Sequence, residues 1–118
     1  MINIDFKEHR KLRIRNLDES FDKHEVIKLL VMLMSGRKHK KAGIYSEYSL
    51  TNGDLPDVVV DLGKEIIIYE IQKSITKKWV DSIVDRDLDL GLSTIIIPVD
   101  KISDDINEMK KQLKEYIA

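Results

Sequence analysis

The chain contains no cysteine, which excludes disulfide bridges and thiolate metal sites. Histidine is scarce: His9, His24 and His39 are the full set, and none has a zinc-ligand spacing. No apolar run approaches the roughly 20 residues that span a bilayer, so no membrane association is expected. Residues 1–10 are polar and charged and lack the form of a signal peptide. A cytoplasmic protein is therefore expected. Charge is plentiful, at 35% of residues, yet the 42% that are hydrophobic fall in clustered Ile, Val and Leu runs, which excludes a disordered chain. The 118 residues suit one domain, and no repeat or linker divides them.

The net charge of -1 conceals an uneven distribution. Arg10, Lys11, Arg13 and Arg15 form one basic run, and Arg37, Lys38, Lys40 and Lys41 form a second around His39. Acids gather later, at Asp81, Asp85, Asp87 and Asp89 and at Asp104, Asp105 and Glu108. Phosphate contacts are local, so a near-neutral chain with basic patches can bind a polyanion. The alternative is that each run is a solvated face.

Periodicity supplies the elements. Leu12 and Ile14 alternate with Arg13 and Arg15, as in a strand with one basic face. Asp22, with Glu25 three residues on, has the form of a helix start. The apolar run from Val26 to Met34 then predicts a well-buried helix, with Gly36 as terminator. Residues 44–50 read as a strand with Ile44, Ser46, Tyr48 and Leu50 on one side. The β-branched runs Val58–Val60 and Ile66–Ile68 flank Leu62-Gly63-Lys64-Glu65 and predict a hairpin. Residues 76–90 suit a helix with Trp79, Val80, Ile83 and Val84 on one face and Gly91 past its end. A strand over 94–99 follows, and a last helix begins at Ser103. The order implies an α/β fold: a mixed central sheet flanked by helices, with a parallel crossover between the strands at 66 and 99.

The informative stretch runs from Pro56-Asp57 to Glu70-Ile71-Gln72-Lys73. With Gly63-Lys64 as a two-residue turn, Leu62 pairs with Glu65 and paired numbers total 127. Asp57 and Glu70 satisfy the same total, so they face each other with Cβ atoms roughly 5 Å apart. Opposed like charges on a half-buried sheet raise a pKa or call for a cation. A hard divalent ion with oxygen ligands could bridge them, activate water and stabilise charge on a phosphate. Alternation puts Gln72 on the face of Glu70 and Lys73 on the other. Asp61 shares the face of Asp57 but lies near the turn, and reads as a turn or surface residue.

Pro56-Asp57, a hairpin, and then an acid followed by Gln72-Lys73 resemble the PD-(D/E)XK nuclease superfamily. The element order over 22–99 is similar to that family's restriction-endonuclease-like αβββαβ core. The resemblance implies Mg²⁺ or Mn²⁺ held by Asp57, Glu70 and the carbonyl of Ile71, with Glu25 as the helix acid. The small size and Ser74 look most like archaeal or viral Holliday-junction resolvases, which are homodimers. One departure stands out: the family's lysine position falls on Gln72, which orients water but carries no charge. Lys73 could substitute only through a local bulge.

The expectation is a metal-dependent nuclease acting on DNA phosphodiesters, an endonuclease with Asp57, Glu70, Gln72, Lys73 and Glu25 as catalytic residues. Arg37, Lys38, Lys40, Lys41, Arg13 and Arg15 would contact nucleic acid, and a homodimer would suit two-strand cleavage. The rival is a nuclease-fold module that binds DNA or protein without catalysis, which Gln72 favours. Blander readings exist for single residues. Glu25 could be a capping-box acid, Glu47 reads as a surface residue, and Tyr45 and Tyr48 as core. Trp79 belongs to the core or to a dimer interface. Asp85, Asp87 and Asp89 read as a solvent face, since alternate spacing does not converge on a helix.

Overall fold

Three helices and a mixed sheet make up the computed structural model, which describes residues 10–11, 22–50, 53 and 55–118. In chain order the elements are β1 (Arg10–Lys11), α1 (Lys23–Lys38), β2 (Gly43–Ser46), β3 (Val58–Asp61), β4 (Ile66–Gln72), α2 (Lys77–Leu90), β5 (Ser93–Pro98) and α3 (Ile106–Lys114). The strands lie side by side in sequence order. β2, β3 and β4 are antiparallel, whereas β4 pairs with β5 in parallel across α2. The two residues of β1 run parallel to β2 at its free edge. Among the described residues no helix is long and apolar enough to cross a membrane. Arg13 and Arg15, and the strand expected around them, lie outside the described residues.

α1 starts where its cap dictates. The Asp22 side chain accepts the Glu25 N–H at 3.3 Å, satisfying one of the four orphan donors of the first turn. The helix does not stop at Gly36. It continues to Lys38, and the His39 N–H closes it on the Ser35 carbonyl at 2.9 Å. Gly36 is buried in that last turn, and Arg37 and Lys38 complement the negative end of the helix dipole.

β2 is shorter than its sequence pattern, ending at Ser46. Glu47 has φ of 52°, a left-handed conformation uncommon outside glycine, and it breaks the alternation. Ile44 and Leu50 therefore fall on different sides of the sheet, contrary to expectation. Ile44 joins Val58, Val60, Tyr69 and Ile71 beneath Ile27 and Val31 of α1 and Met109 and Leu113 of α3. Leu50 packs instead with Tyr45, Val59 and Ile68, against Leu90 and Leu92. Both faces of the central strands are covered, which is why their Val and Ile runs are uninterrupted. Burying each such side chain contributes on the order of 1.5–3 kcal/mol.

The hairpin has the register expected of it. Val58 pairs with Tyr69, Val60 with Ile67 and Asp61 with Ile66, all on the predicted total. Gly63 takes φ of 86° and Lys64 does not take a positive value, which fits a type II′ turn and not type I′. The Asp61 carboxylate accepts the Gly63 N–H at 2.8 Å, so this buried acid stabilises the turn.

The last two helices differ in detail from expectation. Thr76 Oγ1 accepts the Trp79 N–H at 3.2 Å and opens α2. Only Ile83 of its apolar set is buried; Trp79 and Val80 are half-buried and Val84 is exposed. Val84 sits about 100° around the helix from Ile83, at the margin of the face that meets the sheet. α3 begins at Ile106 rather than at Ser103, because Asp105 is the cap, accepting the Glu108 N–H at 3.0 Å. β5 begins at Ser93 and ends at Pro98, and a 3-10 turn over Val99–Lys101 follows.

Candidate active site

Asp57 ends the connection that precedes β3, and Glu70 lies in the carboxyl-terminal half of β4, away from the hairpin turn, where β4 pairs in parallel with β5. The ladder runs out at Val58 and Tyr69, so Asp57 and Glu70 occupy the next step on each strand. Both are buried, at 6% and 5% exposure. An ionised carboxylate in such a place needs hydrogen bonds and opposite charge, and each side chain has both.

Asp57 Oδ2 accepts the Ile71 backbone N–H at 2.7 Å. This bond extends the hairpin by one side-chain link, and it ties Asp57 to the residue after Glu70. Asp57 Oδ1 lies 3.0 Å from His24 Nε2, at the first turn of α1. Nδ1 of the same ring lies 3.3 Å from Glu25 Oε1. The hydrogen bond to Asp57 raises the His24 pKa above its ordinary value, against the lowering effect of burial, and the charges of Asp57 and Glu25 add to the rise. His24 is thereby held toward the imidazolium, with both ring nitrogens donating to carboxylates.

The network continues inward. Glu25 Oε2 is 2.6 Å from Lys28 Nζ, and Glu47 Oε2 is 3.5 Å from the same ammonium. Lys28 is fully buried, and among the described residues these two acids balance its charge. The chain of contacts Glu47, Lys28, Glu25, His24, Asp57 and Ile71 thus joins α1, the residue after β2, the start of β3 and β4. On the α2 side, Arg86 Nη2 lies 3.2 Å from Glu70 Oε1, and this guanidinium is itself buried. Asp57 is thus supported from α1 and Glu70 from α2.

The remaining expected residues fall in two places. Gln72 closes β4, half-buried, and Lys73 follows it in an exposed bend, where strand alternation no longer directs it. Lys77 and Lys78, also exposed, open α2 just beyond. These groups share the carboxyl end of the parallel strands, where open α/β sheets carry their ligand sites. Arg37 and Lys38 are at the other end of α1, about 20 Å from Glu25 along the helix axis. Lys40 and Lys41 line a cavity of about 440 Å³ with Leu62, Lys64 and Glu65, beside the hairpin turn. The basic loop and the carboxylates are therefore not brought together. Asp85 is exposed on α2, as a solvent face requires, while the side chains of Asp87 and Asp89 lie outside the described residues.

Four residues of the network have no site role in the sequence: His24, Lys28 and Arg86, together with Glu47, which reads as a surface residue but is largely buried against Lys28. Lys28 carried a signal, as the lone charge inside the apolar run from Val26 to Met34. Glu47 did not, because its inward position follows from an unexpected backbone conformation. Among the described residues no three His, Cys, Asp or Glu side chains converge as a metal cluster. The chain matches no protein-family model, no curated protein and no solved structure.

Proposed function

We propose that this chain is a divalent-metal-dependent nuclease with a restriction-endonuclease-like core of the PD-(D/E)XK type, acting on DNA phosphodiesters. One observation carries the reading: the hairpin register puts Asp57 and Glu70 at successive positions past the same ladder step, both buried. The element sequence from α1 to β5 supports it, as does the parallel β4–β5 pair.

The donor chemistry fits Mg²⁺ or Mn²⁺, since two carboxylates are hard oxygen ligands. A strand residue directs its N–H and C=O to the same side. The Ile71 N–H meets Asp57, so the Ile71 carbonyl is directed toward that acid as well. Asp57, Glu70 and this carbonyl would hold the ion. When bound, it would supply a water of lowered pKa and offset charge on the phosphate. The chain's own groups have separable tasks. His24 orients the Asp57 carboxylate, and Lys28 holds Glu25 beside His24. Arg86 holds Glu70. Gln72 would orient water, and exposed Lys73, Lys77 and Lys78 would position the phosphodiester backbone. A pair of chains would cut both strands of a duplex or junction.

A second reading, a nuclease-fold module without catalysis that binds DNA or protein, is favoured by a specific observation. Arg86 and His24 already pair with Glu70 and Asp57, and position 72 carries Gln. Incubation with branched, duplex and single-stranded DNA in Mg²⁺ and Mn²⁺ decides between them. Cleavage that disappears in Asp57→Ala and in Glu70→Ala supports the nuclease. Salt-sensitive binding without cutting, unaltered by either substitution, supports the module.

A further inference from the structure

A groove of about 590 Å³ separates α1 from α3, on the far half of α1 from His24 and Glu25. Leu33, Met34 and Ile117 supply apolar lining, and Leu33 is 49% exposed although the helix residues around it are largely buried. Positions 30, 33, 34, 37 and 38 form one continuous helical stripe. It begins apolar with Leu30, Leu33 and Met34 and ends with Arg37 and Lys38. Lys110 and Lys114, one turn apart on α3, line the groove as well. Among the described residues, four cations and no acid line it, in a chain whose acids outnumber its bases by 21 to 20. A solvated face of mixed charge would not have this composition.

We propose that this groove docks an acidic amphipathic helix of a partner protein. An apolar floor between two helices takes the apolar stripe of a third, anchored at i, i+3, i+4 and i+7. The cationic rim calls for carboxylates along the margins of that stripe, where complementary charge steers association and fixes register. A second copy paired symmetrically through the same groove would set rim against rim, cation against cation. Nucleic acid answers the cations but not the floor, since protein–DNA interfaces are polar and wet. The proposal stands apart from the nuclease reading, as none of its residues belongs to the carboxylate network.

The test uses the full chain and a labelled amphipathic peptide of about five helical turns, with leucines at the anchor spacing and glutamates flanking them. A matched peptide carries lysine for every glutamate. The glutamate peptide is expected to bind, with chemical-shift changes at the Leu33, Met34 and Ile117 methyls. The lysine peptide is expected to bind at least about tenfold more weakly. Leu33→Asp, and separately Arg37→Glu with Lys114→Glu, should each abolish binding. These positions are exposed, so circular dichroism should remain that of the parent. Equal binding of both peptides, binding of neither, or shifts at other methyls would overturn the proposal. So would self-association lost in Leu33→Asp, which assigns the groove to a second copy, or duplex binding lost in that variant, which assigns it to nucleic acid.

Discussion

At the scale of single residues, the molecule concentrates its buried charge around one ammonium and one imidazole. Lys28 is fully buried and lies against Glu25 and Glu47. Removing one member of a buried ionic group leaves its partners uncompensated, which costs more than the intact group contributes. Lys28→Ala should therefore destabilise the protein by about 3 kcal/mol, and Lys28→Met combined with Glu25→Gln should recover most of it. Urea unfolding of the three proteins measures both effects. His24 makes a different prediction. Its folded pKa is raised above 6.5, so its ion pairs stabilise fully at pH below 6.5 and lose that contribution as pH climbs through the raised value. In EDTA the thermal midpoint should fall over that interval, and His24→Gln should flatten the fall. Parallel profiles for the two proteins would remove His24 from the account.

At the scale of elements, the hairpin is the device that positions the acids. Its register was legible because the β-branched runs admit few pairings and Gly63 marks the turn. One residue of slip would have moved every side chain to the other face. The cap of α1 is legible in the same way, through Asp22, whereas the start of α3 is not: Ser103 has the form of a cap, and the structure uses Asp105 instead. What could not be read is the end of β2. Nothing in Ser46-Glu47-Tyr48 announces a left-handed Glu47, and that one dihedral sends Leu50 to the opposite layer and Glu47 toward Lys28. Arg86 was hidden for another reason: its partner is distant in sequence, and a helix surface arginine has no pattern that marks it as buried. The turn itself can be tested. Among the described residues no atom lies within 4 Å of an added Cβ at Gly63, so Gly63→Ala meets backbone strain. It should cost about 1 kcal/mol and leave the strand pairing unchanged, as amide exchange along β3 and β4 would report.

At the scale of the whole molecule, the sheet separates two kinds of surface. The carboxylates of Asp57 and Glu70, with Gln72, Lys73, Lys77 and Lys78, gather at the carboxyl end of β4. The lysines at positions 40, 41 and 64 gather at the hairpin turn, and the cationic groove runs between α1 and α3. A polyanion engaged at the acids would draw first on Lys73, Lys77 and Lys78. Replacing those three with Ala should weaken DNA binding and flatten its dependence on salt, since fewer counterions are released. Replacing Lys40 and Lys41 should change both less. Fluorescence anisotropy over a salt series reads the two slopes. The central claim is that Asp57 and Glu70 jointly hold one divalent ion, and titration calorimetry with Mn²⁺ tests it most directly. The account predicts one site in the parent chain that vanishes in Asp57→Asn and in Glu70→Gln. A parent chain that binds no Mn²⁺, or a site that survives both substitutions, would contradict it.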